Sequence, residues 1–238
     1  MSVSRLDVPK KNGRLRAVFL CAGVLCGALV LGGCSASSGD HPLLSTVRAF
    51  LPGGGRDVSQ NAQKLPYASI DFSIARRNGL LVLAEQRPGL TFWQSSQAET
   101  VVLQRGYLQS TAGLQSNLVM TQLNGLPSNA ANDMAAWSAA LKSPINYKVL
   151  RSWRVEDGKL RSASAQATLT CRPNSEKVQL PLAELPLRRC DETLHWGTGS
   201  TTHSSYWIDQ KDGRIWAADT KPWPGAERYG WRVARPWW

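Results

Sequence analysis

The side chains able to do acid–base work form few close groupings in this chain. Asp191 stands beside Glu192, and Asp209 lies shortly before Asp212. Paired carboxylates serve glycoside hydrolysis, one acid protonating the leaving oxygen while the other attacks or activates water. Adjacent residues of a strand face opposite sides, so 191 and 192 part company if they lie on one. Asp209 and Asp212 bracket a turn, where Asp is favoured for its local hydrogen bonds. His41, His195 and His203 keep no zinc-enzyme spacing and adjoin no nucleophile motif. Gly197-Thr198-Gly199-Ser200 looks like a phosphate loop but lacks its lysine and following helix, and reads as an inter-strand loop. Neither a G-x-S-x-G elbow nor an H-E-x-x-H pair occurs. No catalytic residue, metal site or cofactor is assigned, and the expectation is a non-enzyme.

Cysteine chemistry depends on the segment that comes first. Arg5, Lys10, Lys11, Arg14 and Arg16 precede an uncharged apolar run over 18–31, which closes on Leu31-Gly32-Gly33-Cys34 and turns polar at Ser35, Ser37 and Ser38. A basic start, a short apolar stretch and small residues before a cut make a secretory signal peptide over 1–33. The run is interrupted by glycines and falls short of the roughly 20 apolar residues that a membrane-spanning helix needs. Leu31-Gly32-Gly33-Cys34 resembles the lipobox of bacterial lipoproteins. That resemblance implies cleavage before Cys34 and its acylation, palmitate included, so that the mature protein sits on a membrane by its acyl anchor without spanning it. Since Ser35 rather than Asp follows, it also implies sorting to the periplasmic face of the outer membrane.

The whole chain has 238 residues, 42% hydrophobic and 19% charged. That is too apolar for a disordered chain, and collagen, coiled coil and multi-span membrane protein are excluded with it. Removal of the signal leaves 205 residues and lowers the net charge from +11 to +7. Cys21 and Cys26 depart and Cys34 takes lipid, leaving Cys171 and Cys190, which pair by default in an oxidising compartment. Closing such a loop is worth about 3 kcal/mol in the chain-entropy picture. The competing role, as two metal ligands, lacks further cysteines at ligand spacing. Basic residues come in pairs, Arg76-Arg77 and Arg188-Arg189, with no long run. An envelope location makes acidic polysaccharide, lipid head groups or an acidic protein face the partners for this charge and excludes nucleic acid.

Ten tryptophans are present, seven of them within the final 43 residues. Aromatic faces stack on sugars and also dominate cores. Trp153 and Trp207 read as core packing. Trp223, between Pro222 and Pro224, and Trp231, Trp237 and Trp238 near the end are the candidate contacts for a glycan, a partner or the bilayer interface.

The elements that would hold these residues are mainly strands. Residues 34–64 read as lipidated Cys34 and a flexible tether, with Gly53-Gly54-Gly55, and 65–238 as a single β-rich domain. Runs over 67–74 and 80–85 flank Asn78-Gly79, and 100–104 and 107–111 flank Arg105-Gly106. A hairpin over 147–155 and 160–171 turns at Asp157-Gly158. Its first arm puts Tyr147, Val149, Trp153 and Val155 on one face, with Arg151 as the exception. Its second alternates Ala163, Ala165, Ala167, Leu169 and Cys171 against polar residues. A further hairpin joins 204–208 to 214–218 across Lys211-Asp212-Gly213. Only 133–142 looks helical, capped by Asn132 and ended by Pro144. The spacing predicts an all-β antiparallel meander, a barrel in preference to a sandwich, with one short helix.

Several landmarks then line up: Cys34; Leu65-Pro66-Tyr67-Ala68-Ser69-Ile70; Trp93; Arg105-Gly106 leading to Thr111-Ala112-Gly113-Leu114 and Asn117-Leu118; and Tyr206-Trp207-Ile208-Asp209 with Gly213 and Ile215. In this order they resemble the YjbF family of lipoproteins, also described as group 4 capsule polysaccharide lipoproteins. The resemblance implies a barrel-like β domain and a role in making or exporting extracellular or capsular polysaccharide beside other export proteins of the envelope, and it supplies no catalytic residue. The leading expectation is a non-enzymatic outer-membrane lipoprotein that binds glycan or an export partner. The alternatives are a periplasmic glycan-modifying enzyme and a structural accessory of an outer-membrane channel.

Overall fold

The computed structural model describes residues 57–126 and 135–238. The signal peptide, Cys34 and the tether as far as 56 lie outside the described residues, as does the cap expected at Asn132. The described strands are β1 (Ser69–Ile74), β2 (Arg77–Arg87), β3 (Leu90–Gln94), β4 (Thr100–Gln104), β5 (Tyr107–Ala112), β6 (Asn117–Asn124), β7 (Ile145–Arg154), β8 (Leu160–Gln179), β9 (Glu184–Trp196), β10 (Thr201–Ile208), β11 (Ile215–Thr220) and β12 (Tyr229–Arg235). Helix α1 (Asp57–Lys64) precedes them, and α2 (Ala135–Ala140) lies between β6 and β7.

Each strand neighbours the next in sequence, and β1 pairs antiparallel with β12, so the chain runs up and down around a ring. The predicted antiparallel barrel is the observed architecture. Among the described residues, the β5–β6 seam alone lacks a backbone ladder. Side chains bridge it: the Leu118 amide donates to Thr111 Oγ1 at 2.9 Å, and Gln109 Nε2 donates to the Thr121 carbonyl at 2.8 Å.

The strand period of two sends alternate residues inward. On β7, Ile145, Tyr147, Val149, Arg151 and Trp153 are all buried, and on β9 Cys190, Glu192, Leu194 and Trp196 are. Outward positions on β8 are Ser162, Ser164, Gln166 and Thr170, all exposed, while Ala165, Ala167 and Leu169 face the core. The apolar side of this wall is thus the inside, the reverse of a barrel that faces lipid.

The hairpins at Arg105-Gly106, Asp157-Gly158 and 211–213 fall where the turn residues put them. The first differs. The chain turns at Ala75-Arg76, with Ala75 in the left-handed region at φ 51°, and Asn78-Gly79 lies within β2. This earlier turn sets Ile70 opposite Leu81, which buries both; core register outweighs the local turn preference.

Helix α1 occupies residues assigned to the tether. Val58 and Ala62, one turn apart, and then Leu65 pack against Leu80 of β2 and Ala234 of β12. Eight residues would not hold a helix alone, so this one depends on the barrel wall.

Strands β8 and β9 run beyond the ring as an arm. Cys171 faces Cys190 in the ladder and is bonded to it. Immediately beyond, the register shifts between Cys171 and Ser175. This bulge contains Pro173, which has no amide to give to a ladder, and a bulged strand bends. The arm then lies along the outer wall: Trp207 Nε1 of β10 donates to Glu176 Oε1 at 2.5 Å, and Gln210 Nε2 donates to Ser175 Oγ. Its tip brings Leu182 to the apolar patch under α1.

Candidate functional site

Inside the barrel, one carboxyl group gathers three tyrosines. Glu192 of β9 accepts at Oε1 from Tyr107 Oη of β5 at 2.7 Å and from Tyr147 Oη of β7, and at Oε2 from Tyr206 Oη of β10 at 3.1 Å. Arg151, one residue pair further along β7 than Val149, sends Nη2 to Tyr107 Oη and Nη1 to the Pro222 carbonyl, each at 2.6 Å. Burial pushes all three phenols well above their ordinary range, and the Glu192 charge pushes them further, so they remain donors. Burial works against the Arg151 charge, but Tyr107 and Glu192 outweigh it and the guanidinium's pKa is raised. A buried ionic group left without partners is costly; here each side chain has at least one partner, although Arg151 Nε makes no hydrogen bond.

Aromatic rings pack on this cluster and beside it. Trp137 of α2 stacks on Tyr107 at 5.3 Å and lies 6.1 Å from Tyr206. From the β11–β12 connection, Trp223 stacks on Trp153 at 5.8 Å. Its neighbour Pro222 is the residue whose carbonyl Arg151 holds, so one short loop supplies both a ring and an acceptor.

Trp223 and Trp231, expected as glycan or partner contacts, are 3% and 1% exposed and belong to the core. The prolines around Trp223 fold its loop back into the barrel instead of holding it out. Trp207, expected in the core, faces outward on β10 and is half-buried. Of the terminal pair, Trp237 packs edge-on against Trp93 at 4.9 Å, whereas Trp238 is 42% exposed and lies under the Arg214 guanidinium at 4.6 Å.

The carboxylate pairs separate as the strand period requires. Glu192 points in, while Asp191 points out to Ser205 and Arg189. Partial burial opposes the charge of Asp191, yet these hydrogen bonds and the nearby Arg172 hold its carboxyl below the usual range. Asp209 and Asp212 cap the amides of Lys211 and Arg214 in their turn. His195 and His203 are exposed beside Thr201 and Thr193, and Gly197 to Ser200 form the β9–β10 turn. Among the described residues, no group of His, Cys, Asp and Glu is arranged to hold a metal ion. The tyrosines around Glu192 escaped the sequence reading, although Arg151 on an apolar face was a signal that an inward partner existed.

Comparison with curated proteins finds no match. Among solved structures, the chain is similar to the hypothetical lipoprotein YmcC from Escherichia coli, with a TM-score of 0.62 and 17% identity over 76% of this chain and 89% of that one. At that identity the likeness speaks for the fold. The family model for the group 4 capsule polysaccharide lipoprotein gfcB, YjbF, matches residues 56–226, so most of the chain lies within it. That match over more than half of the chain leads to one assignment: the chain belongs to the YjbF family of group 4 capsule polysaccharide lipoproteins.

Proposed function

We propose that this chain is a non-enzymatic lipoprotein, anchored through Cys34 at the periplasmic face of the outer membrane, that assists capsular or extracellular polysaccharide assembly or export by holding glycan or an export partner. The observation that carries this reading is the sealed interior. The carboxyl group of Glu192 is fully buried and taken up by three tyrosines, two of which stack with Trp137, while Asp191 points away from it. This arrangement suits rigidity rather than turnover and leaves the outer surface to do the binding. Lipoprotein family membership and the lipobox resemblance at Cys34 support the anchor.

The test is a Cys34→Ala chain produced in cells lacking the original. Membrane attachment and polysaccharide secretion are expected to fail together; normal secretion by the soluble form would overturn the proposal. Incubating the purified protein with polymer separates the enzymatic alternative, which requires altered chain lengths. Co-purification with an outer-membrane channel in cells making no polysaccharide would favour the structural accessory.

A further inference from the structure

Between the bent arm and the outer wall lies an open groove of about 680 Å³. Ligand clefts commonly fall at roughly 300–1,000 Å³. Its floor is β1, β11 and β12, one rim is the β1–β2 turn and the other is the arm. Arg76, Arg77, Lys177, Arg228, Arg232 and the indole of Trp207 line it.

Of the three carboxylates in the groove, Asp219 and Glu176 are engaged, while Asp71 Oδ1 is buried without a hydrogen bond. Asp219 accepts from Arg228 Nε at 2.7 Å, and Glu176 accepts from Trp207 Nε1. Burial raises the Asp71 carboxyl above its ordinary range, with Arg232 and Asn78 drawing it partly back. Lys177 reaches Glu184 at 3.3 Å. Arg76 and Arg77 are exposed and form an ion pair with no described carboxylate. Trp207 is held in place by Glu176 and by the Arg189 guanidinium 5.7 Å from its ring centre. Its position is therefore fixed before any ligand arrives, which lowers the ordering cost of binding.

We infer that this groove binds a segment of acidic polysaccharide, with sugar carboxylates paired to Arg76 and Arg77 and apolar sugar surface against Trp207. The guanidinium fork matches a carboxylate in two parallel hydrogen bonds, and an indole matches the apolar side of a sugar ring. A bilayer surface is flat and does not follow a floor lying beneath an arm; an extended polymer does. The inference names the ligand class for the glycan-holding role proposed above and rests on that reading.

The experiment titrates the full lipidated protein in detergent micelles with a short oligogalacturonate, a neutral dextran oligomer, and glycerol phosphate as a soluble lipid head group. Oligogalacturonate is expected to bind, less tightly as salt rises, and the dextran is not. Joint Arg76→Gln and Arg77→Gln substitution is expected to weaken binding about tenfold or more, as loss of charge-assisted hydrogen bonds requires. Arg161→Gln, on the exposed face of β8, is expected to leave it unchanged, and near-ultraviolet circular dichroism checks that both variants fold. Failure of oligogalacturonate to bind, equal binding of dextran, tighter binding of glycerol phosphate, or indifference to the arginine substitutions would each overturn the inference. Secretion in cells lacking the chain separates the two readings. If deletion blocks secretion while oligogalacturonate does not bind, the groove inference alone falls; if secretion is intact, the proposed function falls and takes this inference with it.

Discussion

Arg151 and Glu192 are both buried in the barrel yet form no direct ion pair: Tyr107 stands between them, accepting from Arg151 at 2.6 Å and donating to Glu192 at 2.7 Å. The phenol transmits the attraction because it can accept and donate at once. Opposite charges on β7 and β9 are thereby tied to β5 across the ring.

Removing one end of this chain leaves the other buried without its partner. Arg151→Met is expected to cost about 3–5 kcal/mol in denaturant unfolding. Glu192→Gln is expected to cost less, because its amide oxygen still accepts. The double variant Arg151→Met with Glu192→Met should be less unstable than the sum of Arg151→Met and Glu192→Met. Strict additivity in that cycle would mean that Tyr107 carries no coupling.

Alkali should act on the same cluster. Folded-state values of Tyr107, Tyr147 and Tyr206 are raised above the ordinary phenol value of 10.0 by burial first. Their stability contribution is whole below that value and is lost as pH climbs from it towards the folded-state values. Phenolate absorbance is therefore expected to rise cooperatively with loss of ellipticity. Gradual ionisation of these tyrosines in a folded barrel would contradict the burial.

At the root of the arm, Cys171→Ser with Cys190→Ser should lower stability by about 3 kcal/mol, through freedom returned to the unfolded chain. Hydrogen exchange should show amides of Ser175 to Gln179 losing more protection than those of β7. Uniform loss across the barrel would show that the bond does not serve the arm in particular.

Gly106 offers a steric test. It turns the β4–β5 hairpin at φ +81°, and a Cβ there would lie 2.9 Å from Ile215 Cβ. Gly125 has a similar φ of +83° with nothing within 4 Å of an added Cβ. Gly125→Ala should cost the backbone penalty, about 1–2 kcal/mol. Gly106→Ala should exceed it by about 1–3 kcal/mol, because β11 must shift. Equal melting temperatures would mean that the Ile215 contact yields freely.

The alternation on β7 and β8 was plain in the sequence because each strand carries its own period, and Arg151 stood out against it. The partners of Glu192 were not plain: Tyr107 and Tyr147 lie 85 and 45 residues away, and only ring closure places them beside it. Helix α1 was hidden by its composition, since Val58 and Ala62 are its apolar contacts in a polar octet. Trp223 misled because its prolines signal a turn without saying which way the turn folds.

The ring joins Ser69 of β1 to Arg235 of β12. Every other ladder links strands consecutive in sequence and can form as soon as both have emerged. This pairing brings together the two ends of the described chain, and loop closure over such a distance comes late in folding. A chain still emerging therefore has its first strand waiting for its final one, and the ring stays open until β12 has joined it. On the proposal that this chain is exported, the closing strand acts as a timer: the barrel cannot shut while any of it is still on the wrong side.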